Sequence, residues 1–145
     1  MLRFRRVARG FTLIELMIVV AIMAILATLA YNSYSNYAFR TRRADGREMI
    51  MRVAAAEERY FTNFNAYSAS ITNPATAGGL GFTSATSEKG YYTIGAPVLG
   101  AGGAAYQLVA VPQNVQATDA CLSLTLTDTG TKSQTGSNTT NGSCW

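Results

Sequence analysis

The sequence predicts an α+β chain: a long N-terminal helix, half transmembrane and half amphipathic, packed on a small antiparallel β-meander with a disulfide-closed C-terminal loop. Three observations carry this. An apolar run extends unbroken from Phe11 to Tyr31, a helical stripe of apolar residues follows from Met49 to Tyr67, and short strand-like segments after Gly90 lead to a polar end bounded by two cysteines.

The apolar run comes first. Its 21 residues include one charge, Glu15. As a helix they span about 31 Å, matching a hydrocarbon thickness of about 30 Å. Arg3, Arg5, Arg6 and Arg9 precede the run and hold that end in the cytoplasm, so the rest crosses outward. They also account for the net charge of +4, because the remaining eight basic residues balance the eight acids. With residues 1–10 removed the chain is neutral, which weakens the case that its basic pI marks an anionic partner. No small-residue cleavage site stands out after the run, as a secretory signal would require; the small residue, Gly10, stands before it.

The string RGFTLIELMIVVAIMAILA resembles the N-terminus of type IV prepilins and pseudopilins. The resemblance implies a basic leader (1–10) cut after Gly10 by the prepilin peptidase, with the new N-terminal Phe11 methylated. Residues 11–38 then form a transmembrane and filament-core helix, and 39–145 a periplasmic or extracellular head. It also gives Glu15 a role. Cleavage leaves an amine on Phe11, four residues away on the same helix face, where an acid is favoured. Among packed helices a buried carboxylate needs a partner, and the Phe11 amine of its own or a neighbouring subunit is nearest. Glu15 is therefore expected to act in assembly; the plainer reading is an acid that caps the helix start.

From Phe11 to Asp45 there is neither proline nor glycine, and helix formers continue to about Phe64. Asn32 stands where many type IV pilins have a helix-breaking residue. Met49, Val53, Ala56, Tyr60, Phe64 and Tyr67, flanked by Ile50, Ala54 and Phe61, form the stripe expected to dock on the sheet. Glu48 and Arg52 pair across one turn, Arg43 and Arg47 repel, Glu57 and Glu58 read as a solvated face, and Gly46 is the helix's weak point. Tyr31, Tyr34 and Tyr37 fit interface anchoring or packing between subunits.

The head then divides into a loop (66–89), a sheet region (90–135) and a region closed by Cys121 and Cys144 (121–144). Gly78, Gly79 and Gly81 in the loop punctuate turns and match no nucleotide-binding spacing. GYYTIGAPV, AAYQLVAVP and ACLSLTLTD read as strands, with Leu122, Leu124 and Leu126 on one face of the third; Asp128, Thr129 and Gly130 turn into a fourth segment, TKSQT. In an exported chain without histidine, Cys121 and Cys144 read as a disulfide, worth about 3.5 kcal/mol by the chain-entropy model.

AAAEERYFTNFNAYSA, YQLVAVPQNVQATDACLSLTLTDTGTK and the terminal CW are similar to PilE-type minor pilins. The resemblance implies a non-enzymatic pilus subunit, held single-pass in the bacterial inner membrane and then assembled into a surface filament for adhesion, twitching motility or DNA uptake. Its partners are other pilins, the peptidase and the inner-membrane assembly machinery. No catalytic, metal or cofactor constellation appears: Asp119 and Asp128 flank a strand without companion ligands. A pseudopilin of type II secretion shares the N-terminus, but the disulfide and sparse C-terminal acids favour a pilus. A DNA-binding competence pilin is the other alternative. It calls for a basic stripe, whereas from Ala66 onward Lys89 and Lys132 face Glu88, Asp119 and Asp128, and the Arg40 to Arg43 cluster sits low on the helix.

Overall fold

The computed structural model describes residues 10–137 and 141–145; the leader before Gly10 lies outside the described residues. One α-helix, α1 (Leu13–Phe64), is followed by strands β1 (Tyr92–Ile94), β2 (Val98–Leu99), β3 (Tyr106–Pro112), β4 (Leu124–Thr127) and β5 (Lys132–Gln134). The helix starts where Thr12 accepts the Glu15 N–H on its hydroxyl, at 3.3 Å. It stops at Asn65, which takes a left-handed conformation (φ 54°) that asparagine tolerates better than most residues.

The chain divides into two compact units, one ending at Ser35 and one spanning 36–145. In the first, α1 is long and apolar enough to cross a membrane, and every large apolar side chain from Phe11 to Leu29 is exposed. Such a surface needs lipid or other helices around it. The second unit has its own core. Met49, Ile50, Val53 and Ala54 pack on Tyr92, Ile94, Tyr106, Leu108, Ala110, Leu124 and Leu126. Burying each larger side chain contributes about 1.5–3 kcal/mol relative to exposure.

The sheet is antiparallel throughout. Its order is β1-β3-β4-β5, with β2 pairing beside β1 on the same side of β3. The segment read as one strand from Gly90 to Val98 is thus two, parted at Gly95 to Pro97, where proline has no N–H to give a ladder. Leu124 and Leu126 face the core as expected, but Leu122 does not belong to their row. It precedes β4, has φ 52° and is exposed.

The helix stripe is covered only in part. Met49, Val53 and Ala56 are buried, whereas Tyr60 is half-buried and Phe64 is 53% exposed. The reason is that the sheet strands are short, and the loop after Asn65, not the sheet, lies against the last helical turns. Gly46 also differs from its reading as a weak point. A Cβ there would lie 2.6 Å from the ring of the fully buried Tyr92, so glycine is what allows helix and ring to touch. Cys121 and Cys144 are joined, with Cα atoms 5.6 Å apart, and both are buried.

Candidate functional site

Three carboxylates, Asp45, Glu57 and Asp119, lie buried in the 36–145 unit, and each holds a loop. Asp119, 1% exposed, is gripped by Arg43 through two hydrogen bonds, Nη2 to Oδ1 at 2.6 Å and Nε to Oδ2 at 2.7 Å. Arg43 also donates to the carbonyl of Ser143 at 2.9 Å and to the Oδ1 of Asn141, so one guanidinium ties α1 to the disulfide loop. The Asn141 and Gln116 amides donate to Asp119 at 2.7 and 2.9 Å. Burial alone would push the Asp119 carboxyl up, but the hydrogen bonds from Arg43 and Asn141 and the Arg43 charge outweigh it and hold the group below its usual range. Arg43 therefore does not join the exposed arginines around it, and Asp119 is an internal anion rather than a lone strand-flanking acid.

Asp45 organises a second loop. It accepts from the Ser87 hydroxyl at 2.6 Å and from the Lys89 and Tyr91 backbone N–H groups at 3.1 and 3.4 Å. The turn thus held exposes Lys89, while Arg42 lies over the rings of Tyr91 and Phe39, at 5.2 and 5.8 Å.

Glu57 holds the third. It is fully buried, not part of a solvated face, and accepts the Ser68 N–H at 2.9 Å; its second oxygen has no partner among the described residues. Burial raises its pKa, the Ser68 hydrogen bond partly offsets this, and Glu58 adds to the rise. Ser68 passes the constraint on through its hydroxyl, whose single hydrogen is shared between the carbonyls of Ser70 and Gly78, 2.9 and 2.8 Å away. Glu58, by contrast, remains at the surface, accepting from Tyr67 and Tyr106. The Glu48–Arg52 pair forms as expected, at 2.9 Å on the exposed face.

This sorting changes the charge that the unit presents. By sequence, residues 36–145 hold eight basic and seven acidic side chains. Folding buries Asp45, Glu57 and Asp119 but only one cation, Arg43. Arg40, Arg42, Arg47, Arg52, Arg59, Lys89 and Lys132 then face solvent wholly or partly against Glu48, Glu58, Glu88 and Asp128, an excess of three. Lys132 sits 5.5 Å from the ring of Trp145, whose indole N–H donates to the Ser133 carbonyl at 2.7 Å. The sequence does hold a signal for the buried charges: Arg43, Gly46, Ile50, Val53 and Glu57 recur at spacings of three and four, so two ionisable residues lie in the apolar phase of the helix.

At the other end, Gly10, Phe11, Thr12 and Glu15 line one open notch of about 480 Å³. The structure thus brings the three N-terminal residues singled out by sequence to one place. Tyr31, Tyr34 and Tyr37 are exposed. Among the described residues no cluster of metal-ligating side chains occurs.

Comparison with known proteins fits this architecture. A family described as "Type IV minor pilin ComP, DNA uptake sequence receptor" matches residues 32–125, and the prokaryotic N-terminal methylation motif matches residues 5–31. A type IV pilin from Shewanella oneidensis, solved at high resolution, is 25% identical with a TM-score of 0.50, over 74% of this chain and 97% of that one. No curated protein gives a significant match. The helix, the antiparallel sheet, the disulfide and the methylation motif agree with these matches, and the chain belongs to the ComP family of type IV minor pilins.

Proposed function

We propose that this minor pilin is a DNA-receiving subunit of the pilus, its 36–145 unit contacting the phosphate backbone. The observation that carries the reading is the excess of three exposed cations left when Asp45, Glu57 and Asp119 are buried. Phosphate contacts by Lys and Arg supply most non-specific DNA affinity, so a surface cleared of acids matters more than the overall sequence charge. The description of the matching family as a DNA uptake sequence receptor supports the same reading. Pili sheared from cells that carry this subunit should retain more labelled duplex DNA than equally abundant pili lacking it; equal retention would overturn the proposal.

The route to the filament is also proposed. The peptidase cuts after Gly10 and methylates Phe11, and the chain waits in the bacterial inner membrane with its N-terminus cytoplasmic before joining other pilins at the surface through the assembly machinery. What supports this is the methylation motif and the shared notch of Gly10, Phe11 and Glu15: a cut after Gly10 creates an amine beside the carboxylate. In a bundle of apolar helices an unpaired carboxylate costs several kcal/mol, so the Glu15–Phe11 pair penalises wrong registers more than it adds stability.

A further inference from the structure

The apolar stripe of α1 does not end under the sheet. Its last members, Tyr60 and Phe64, stack on each other with ring centroids 4.4 Å apart, and Phe64 is more than half exposed. With Arg59 and Asn63 they form one wall of a cleft of about 160 Å³, whose other wall includes Gly79 and Leu80 of the following loop. That loop is not free to collapse into the cleft. Ser68, fixed by the buried Glu57, donates to the Gly78 carbonyl, and the Leu80 N–H donates to the Ser70 carbonyl at 2.9 Å. Gly79 is folded so tightly that a Cβ would lie 2.1 Å from the Asn73 carbonyl oxygen.

The chemistry of the cleft is specific. Asn63 gives its amide N–H to the Arg59 carbonyl at 2.9 Å, leaving its own carbonyl oxygen available. Arg59 is exposed and has no acidic partner among the described residues: Glu58 is taken by two tyrosine hydroxyls, and Glu57 is buried. An aromatic face, an amide acceptor and an unmatched guanidinium suit a small planar group carried on an anion. We infer that this cleft takes one unpaired nucleobase of bound DNA, with Phe64 stacking on it and Arg59 meeting its phosphate, an inference that rests on the DNA reading above. Stacking of bases on aromatic side chains and Arg contacts to the backbone are the general means of holding unpaired nucleic acid.

The test uses the 36–145 unit, whose core is complete within itself. Its affinity is measured for a labelled duplex bearing one unpaired thymine and for the same duplex fully paired. The unpaired base should tighten binding about tenfold. Phe64→Ala, at an exposed position, should abolish that preference while leaving affinity for the paired duplex unchanged, and Arg59→Gln should flatten the salt dependence for the bulged duplex. Equal affinity of the wild-type unit for both duplexes, an undiminished preference in Phe64→Ala, or displacement by a neutral oligosaccharide would overturn the inference while the DNA reading stands. Absence of binding to either duplex at low salt would overturn both.

Discussion

Arg43 and Asp119, 76 residues apart in sequence, meet in complete burial with both carboxylate oxygens within 2.7 Å of the guanidinium. Taking two charges out of water is costly, and the pair is sustained because Asn141, Gln116 and two carbonyls of the disulfide loop satisfy the remaining atoms. Arg43→Met leaves Asp119 buried and unmatched, and is expected to cost about 3–5 kcal/mol in denaturant unfolding. The double variant Arg43→Met, Asp119→Leu should recover much of that loss. Equal instability of the single and double variants would show that the cost is not electrostatic.

Gly46→Ala replaces a poor helix former with the best one, a gain of about 1 kcal/mol in an open helix. Here the added methyl meets the buried Tyr92 ring at 2.6 Å, so the net change is expected to be a loss of about 1–3 kcal/mol. A rise in thermal midpoint would mean that ring and helix separate easily.

Glu57 gives a pH signature of definite sign. Its folded pKa lies above the ordinary carboxylate value, so the native state holds the proton more tightly than the unfolded chain. Stability therefore falls as pH rises from the ordinary value through the raised one, and is flat on either side. Glu57→Gln removes that loss and should be more stable than wild type at pH 8, with the advantage shrinking as the pH is lowered below the folded pKa. Asp119 acts oppositely: its lowered pKa contributes stability that is lost as pH falls through the folded value. Guanidinium unfolding curves of the two proteins across pH 3–8 separate the contributions.

Glu15→Ala is expected to leave processing intact, its mass matching the substituted chain that begins at Phe11 as the proposed cleavage requires, while reducing incorporation into filaments severalfold. Mass spectrometry of membrane and sheared-filament fractions measures both quantities, and normal incorporation would remove the role proposed for Glu15.

Much of this fold was legible, and the gaps have one cause. The apolar run, the helix end near Phe64, the antiparallel strands and the two cysteines follow from periodicity, turn residues and composition, which act locally. The site depends on which charges fold inward, and that is set by partners 11 to 100 residues away. Local spacing pairs Arg43 with Arg47, four residues on, whereas its hydrogen-bond partner Asp119 lies 76 residues on. Residue type alone puts Glu57 in solvent, because acids are mostly exposed, although its position matches the phase of Ile50 and Val53. Phe64 erred the other way: its phase was right, but the length of the sheet, which decides whether it is covered, is not a property of the helix.

Folding leaves the 36–145 unit with three more exposed cations than exposed anions, and the proposed function is that DNA binds this surface. The most direct measurement is the affinity of the 36–145 unit for duplex DNA between 20 and 300 mM salt. With about three phosphates engaged, log K should fall linearly with log salt at a slope of about −3. No binding at the lowest salt, or binding with a slope near zero, would contradict the account.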